Sequence, residues 1–236
     1  MVAAQPTRPA HPPKPPLATR PVARPQVPGL NGLGPFVIGK PLAAILDPLQ
    51  ADWQTTIRVA HSAEEVELQS STCCSIIELL LSGTNPVDHA PRCADNRVFY
   101  LPTYTLQTSS GAKPTPLFGL YLTFYKGRLA RIWANEAGPL VEAFEGADYA
   151  YGSGVTTTTR SAELVQCPGA APQKGASIPR TTSTTQTWQH GDVVAARHLE
   201  ISATNTAPCT TRAVEYFLIE NHRLHAALTS CETPGH

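Results

Sequence analysis

The chain has little charge. Asp, Glu, Lys and Arg supply 15% of its 236 residues, and 18 basic side chains balance 18 acidic ones. No net field therefore draws it towards nucleic acid or an anionic bilayer. Long hydrophobic runs are missing too: the most apolar stretch, Ile76 to Leu81, falls far short of the roughly 20 residues of a membrane span. There is one methionine, and none of the six cysteines stands in the CxxC spacing of a structural zinc site.

Hydrolase signatures are absent. Neither GxSxG nor HExxH occurs, and Tyr151-Gly152-Ser153-Gly154 lacks the first glycine of a nucleophile elbow. Triads are spatial, so an enzyme with a site assembled from distant residues stays open as an alternative. Gly34 to Pro41, GPFVIGKP, follows the phosphate-loop pattern GxxxxGK[ST] until its last position, where Pro41 replaces the hydroxyl meant for magnesium. Its bulky interior, Phe36, Val37 and Ile38, suits an apolar entry into a helix better than a phosphate cradle. Cys73, Cys74, His89 and Cys93 are spaced too irregularly for a metal tetrahedron, and His222-x-x-His225 stands on a turn and strand rather than a helix. No metal and no cofactor is expected.

An even set of cysteines in a Thr-rich, Met-poor chain points instead to disulfides and an oxidising compartment. Cys209 and Cys231 flank Glu220 almost symmetrically and would staple a final hairpin; Cys93 pairs with one of Cys73 and Cys74, and Cys167 with the other. Six cysteines allow 15 pairings, so this set is an expectation. MVAAQPTRPAHPPKPP has no apolar signal core, which leads us to read a mature form whose leader has been removed. The expected location is extracytoplasmic, periplasmic or secreted; the alternative is cytoplasmic with reduced thiols.

Residues 1–33 form a basic, proline-rich stretch with no acid before Asp47, read as an extended, solvated tether. Its Pro9-x-x-Pro12-x-Lys14 fits an aromatic-groove ligand, but such matches arise readily in any proline-rich run, and a plain linker is preferred. Pro41 opens a helix whose apolar positions are Leu42, Ile45, Leu46 and Leu49, with Pro48 expected to end or kink it early. Ile57 to Ala60 and Val66 to Leu68 read as short strands, 73–83 as a buried strand or helical turn, and 84–93 as a loop.

From Val98 the pattern is β. LFGLYLTFYKGRLARIW should fold back at Lys126-Gly127. A regular register sets Leu122 opposite Arg131 and Leu120 opposite Trp133, giving a core face of Leu120, Leu122, Phe124, Leu129 and Trp133. The wet face then carries Tyr121, Thr123, Tyr125, Arg128 and Ala130, with Ile132 an exception. A second helix follows near 140–151, then a loop at 154–183, two strands around His190-Gly191-Asp192, and a hairpin turning at Glu220-Asn221-His222. The fold class is α+β: an antiparallel sheet with short helices packed on one face. Two units, 34–135 and 136–232, would share one sheet, either as a tandem repeat or as hairpins alike by physics alone.

PFVIGKPLAAIL followed by LYLTFYKGRLARIW resembles the repeating unit of small bacterial envelope modules, and PLVEAFEGADYAYGSG with TWQHGD and VEYFLIENHRLHAAL resembles a weaker second copy. Those modules are the outer-membrane-assembly lipoproteins of the SmpA/OmlA type and the β-lactamase-inhibitor-like proteins; the helix–YG–TW order also looks like uncharacterised exported bacterial proteins. The resemblance implies a noncatalytic surface for a protein partner or envelope component. On residue chemistry Tyr121, Tyr125 and Arg128 are the candidate binding residues, because exposed aromatics and arginine favour interfaces. The remaining alternative is a structural accessory domain without a ligand.

Overall fold

The computed structural model describes residues 28–29, 31–71, 74–80, 89, 91, 93–106, 115–135, 140, 154–166, 177–203, 211–224 and 226–227. Strands β1 (Pro28–Gly29), β2 (Gly32–Leu33) and β3 (Phe36–Val37) make a small antiparallel sheet. Then come α1 (Leu42–Trp53), β4 (Ile57–Ala60), α2 (Ala63–Ser70) and β5 (Ile76–Leu79). A first meander holds β6 (Asn96–Leu106), β7 (Thr115–Tyr125) and β8 (Arg128–Ala134). Next are β9 (Val155–Arg160), the paired β10 (Leu164–Gln166) and β11 (Ser177–Pro179), and a second meander of β12 (Thr181–His190), β13 (Val193–Ala203) and β14 (Thr211–Asn221). Nine strands form one sheet in the order β4-β5-β6-β7-β8-β14-β13-β12-β9. The two meanders meet antiparallel at β8 and β14, and β4–β5 is the parallel pair. The chain is thus mostly β with few short helices, in the broad α+β class.

One face of this sheet holds the main core. Ile45, Leu46 and Leu49 of α1 and Leu33 and Phe36 of the small sheet pack on Phe99, Leu101, Leu120, Leu122 and Phe124. The helix runs through Pro48 to Trp53 instead of stopping. Pro48 and Ala44, whose carbonyl Pro48 cannot serve, both lie on the exposed side of α1, so the lost bond falls where water can replace it. Order also begins earlier than expected, since Pro28–Gly29 and Gly32–Leu33 are strands and Leu33 is buried. Residues 1–27 of the expected tether lie outside the described residues.

The helices occupy both faces, not one. Ile76 joins the main core, while its neighbour Ile77 joins a second cluster with Ala60, Leu79 and Val98, against which Val66 of α2 packs. Alternate strand residues point to opposite sides, so α2 lies across the sheet from α1. Val66 to Leu68 is helical because Ser62 starts a helix there: its Oγ accepts from Glu65 N at 3.3 Å, and Glu65 Oε2 accepts from His61 N at 2.7 Å. That exchange is close to a capping box.

A bulge overturns the expected hairpin register. Phe124 faces Leu129, but Thr123 faces Arg131, Leu122 faces Ile132 and Leu120 faces Ala134. The extra residue, Ala130, moves every later side chain of β8 to the other face. Ile132 and Ala134 therefore enter the core, and Trp133 joins Tyr121 on the far side.

Two further expectations fail for local reasons. Much of 154–183 is strand, because VTTTTR is β-branched even though all six residues are exposed and carry no apolar alternation. The final hairpin is instead a single strand, β14, followed by helical residues 222–224. Asn221 caps that turn, its Oδ1 accepting from Arg223 N at 3.0 Å and Leu224 N at 3.1 Å. Of the expected second helix, Leu140 alone is described, helical and buried.

Candidate functional site

The side of the sheet away from α1 carries a continuous row of rings. Each of the strands β6, β7, β8, β14 and β13 contributes one: Tyr100, Tyr121, Trp133, Tyr216 and His198. Tyr100 and Tyr121 are cross-strand partners with centroids 4.6 Å apart. His89 bridges Tyr121 at 4.3 Å and Trp133 at 4.9 Å. Trp133 stacks on Tyr216 at 3.8 Å with 20° between planes, and Tyr216 on His198 at 4.8 Å and 26°. Thr185 Oγ1 on β12 ends the row, 3.0 Å from His198 Nδ1. Six adjacent strands spaced about 4.8 Å apart make it about 24 Å long.

The stacking geometry limits what this row can do. Trp133, Tyr216 and His198 stack on neighbours within the sheet, so their ring normals lie in the sheet plane and their edges project outwards. A flat sugar or base finds little free ring face. A protein surface finds an amphipathic ridge of ring edges with hydroxyl and imidazole tips. The five strand-borne rings are half-buried and His89 is exposed. Beside the row, Arg131 Nε donates to Glu220 Oε2 at 3.1 Å, and this pair is largely shielded.

Two tyrosines in the row hold their protons more tightly than usual. Burial raises Tyr216 above its ordinary 10.0, the Glu200 and Glu220 charges add to this, and Arg131 opposes it. Burial also raises Tyr100, against a hydrogen bond with Ser70. A raised folded-state value means that the stability involved is intact below about 10 and is lost as pH climbs through the raised value. In an alkaline titration followed by tyrosinate absorbance, Tyr100 and Tyr216 should each ionise later than a free tyrosine. Tyr216→Phe should move alkaline unfolding to higher pH; an unchanged midpoint would contradict this.

Of the three residues expected to bind, Tyr121 alone belongs to the row. Tyr125 lies two pleats away at the hairpin end, with Lys126 Nζ 5.2 Å from its ring centroid. Arg128 is exposed, and its Nη1 donates to the Gly39 carbonyl at 3.0 Å, tying that hairpin to the segment before α1. The residues missed from sequence are Tyr100, Trp133, Tyr216, His198 and His89: a regular register puts Trp133 on the core face, and His89 lies outside the strands.

The phosphate-loop look-alike has spent its amides. Ile38 N donates to Asn31 O, Gly39 N to Leu129 O, Lys40 N to Val37 O and Leu42 N to Gly127 O, all between 2.7 and 3.1 Å. Among the described residues no group of three or more His, Cys, Asp or Glu could hold a cation. Cys93 is buried and disulfide-bonded, and its partner is a cysteine outside the described residues. Cys73, Cys167, Cys209 and Cys231 also lie outside them, so the expected pairing of Cys209 with Cys231 does too. Comparison of the chain with protein-family models, curated proteins and solved structures finds no match.

Proposed function

We propose that the chain is a noncatalytic, extracytoplasmic binding module that holds a protein partner of the cell envelope against the aromatic row. The observation that carries this reading is the unbroken run of ring edges from Tyr100 to His198 on one sheet face. Ordered aromatics lose little entropy on docking and often dominate interface energies. The antiparallel junction of two three-stranded meanders at β8 and β14 supports reading them as copies of one unit, in keeping with the envelope modules that the chain resembles.

Crosslinking pull-down from an envelope fraction tests the reading. Tyr121→Ala and Tyr216→Ala should each weaken capture by about 30-fold, the size of a hot spot near 2 kcal/mol. Tyr125→Ala and Arg128→Ala, outside the row, should leave capture intact. Equal capture by all four variants, each shown to be folded by thermal unfolding, rejects the row as the interface. Compartment is tested separately. Cys93 in freshly lysed producing cells should resist alkylation until reductant is added, whereas immediate alkylation would favour the cytoplasm.

A further inference from the structure

The nine-stranded sheet ends in two different ways. At one end the β4 edge is occupied, because Gln69 Nε2 of α2 donates to the Val59 carbonyl at 2.9 Å. At the other end β9 lies open: all six of its residues are exposed, so neither of its faces is covered. Its one strand neighbour among the described residues is β12. We infer that β9 pairs antiparallel with β9 of a second copy of this chain, in the two-fold register that sets Thr158 opposite the partner's Thr158.

Main-chain direction fixes that register. Ser161 N donates to Thr181 O at 2.9 Å, and Ala203 N donates to Arg180 O at 2.7 Å. Ser161 thus turns its N–H towards β12, and Arg180 turns its C=O towards β13. In an antiparallel ladder these groups alternate in direction from residue to residue. Val155, Thr157 and Thr159 therefore bond to β12, whereas Thr156, Thr158 and Arg160 aim their N–H and C=O groups outwards. A two-fold axis beside Thr158, perpendicular to the sheet, matches all three. Thr158 meets the partner's Thr158, and Thr156 meets the partner's Arg160 on each side of the axis. Each facing pair exchanges two main-chain hydrogen bonds, about six in all.

The chemistry of the edge selects a second copy over an unrelated segment. Strand addition of a foreign peptide reads side chains in pockets beside the edge. With all six side chains exposed, β9 presents no walled pocket. It offers threonine hydroxyls, and Thr158 Oγ1 already lies 3.3 Å from Thr184 Oγ1 of β12. Self-pairing sets hydroxyl against hydroxyl, Thr158 with Thr158 and Thr157 with Thr159, a favourable cross-strand combination. The strand's one charge, Arg160, then faces Thr156 rather than a like charge. The chain's formal net charge is zero, so two copies do not repel each other at long range. The usual guards of an edge are missing too: VTTTTR has no lysine and no proline, and it pairs with β12 without a bulge. Odd-numbered residues face odd-numbered ones in this register, so both copies keep the same face outwards. Both aromatic rows then lie on one side of a continuous sheet, with the two His198 rings roughly 25 Å apart across five strand spacings.

Sedimentation equilibrium and crosslinking of the whole chain test the inference. The chain should show a monomer–dimer equilibrium. Thr158→Lys and Thr158→Glu each set like charges directly opposite one another and should weaken self-association about tenfold or more. An equal mixture of the two variants should restore it, which misfolding of either would not allow. Cysteine replacement checks the register. Thr158→Cys should crosslink two copies under mild oxidation, because facing Cα atoms lie about 5.5 Å apart, within disulfide reach. Thr156→Cys should not, since its two copies stand four residues apart, roughly 14 Å along the strands. Tyr216→Ala, in the aromatic row, should leave self-association unchanged, so this inference and the row reading fail separately. A chain that sediments as a monomer, with no Thr158→Cys crosslink beyond that of the unsubstituted chain, overturns the inference. A dimer indifferent to charge at Thr158 overturns it as well, and so does equal crosslinking from Thr156→Cys and Thr158→Cys.

Discussion

Phe36→Ala is expected to destabilise the protein by about 3–5 kcal/mol, measured as a lower urea midpoint at unchanged slope. Phe36 has no exposed surface and meets the Tyr104 ring edge-on at 4.8 Å. It also sits where three elements converge: the small β1–β3 sheet, α1 and β6. Truncation removes the transfer free energy of a buried ring and leaves a cavity between elements that cannot close independently, since Gly39 N and Leu129 N tie the segment after β3 to β8 through reciprocal bonds with Leu129 O and Lys40 O. Phe36→Leu should lose less, because it keeps most of the apolar volume. A loss below about 1 kcal/mol for the alanine variant would mean that β1–β3 is an appendage rather than part of the core.

The same residues show what the sequence could and could not reveal. Phe36, Ile45, Leu46 and Leu49 were legible because helix periodicity and apolar runs are local signals. So was the dismissal of the phosphate loop, which rested on Pro41 and on the bulk of Phe36 to Ile38. The Ser62-x-x-Glu65 capping pattern is also local, but the strand reading of Val66 to Leu68 passed over it. Thr156 to Thr159 were read as loop because β-propensity without apolar alternation carries no face. Asn221 could be a hairpin turn or a helix cap, and local sequence does not choose between them.

The aromatic row was illegible for a different reason. A row needs register between strands, and register depends on one inserted residue, Ala130. Without the bulge, Trp133 goes into the core and Arg131 faces Leu122 across the hairpin; with it, Trp133 meets Tyr121 and stacks on Tyr216. Burial favours the bulged register, which places Ile132 and Ala134 in the core and leaves the guanidinium of Arg131 to Glu220. Ile132, an exception under a regular register, was the one local hint that a slip had to occur. Tyr121 was identified because its own strand has no bulge, whereas its partners come from β6, β8, β13 and β14, far apart in sequence.

Gly119→Ala should cost about 2–4 kcal/mol and also disturb the aromatic row from a distance. β6 and β7 break their pleat together at Pro102 and Gly119: Leu101 and Tyr104 both face the core, as do Leu120 and Leu117, although each pair is three residues apart. Gly119 makes this break with φ +67°, where an L side chain is strained by about 1–2 kcal/mol. An added Cβ would also collide with the Asn135 amide group, lying 2.9 Å from its Cγ. Asn135 cannot move freely, because its N donates to Gly119 O at 3.1 Å and its Oδ1 accepts from Trp133 Nε1 at 3.2 Å. Displacing that side chain releases the indole that stacks on Tyr216. The two causes separate in a double-mutant cycle measured by urea unfolding. Asn135→Ala removes the crowding but not the backbone strain, so the glycine substitution should cost about 1–2 kcal/mol in that background. Gly119→Ala alone should in addition increase acrylamide quenching of Trp133 fluorescence in a chain whose other tryptophans, Trp53 and Trp188, are replaced by phenylalanine. If the cost is the same in both backgrounds and the quenching is unchanged, Asn135 does not couple the kink to the row, and backbone strain at Gly119 accounts for the whole effect.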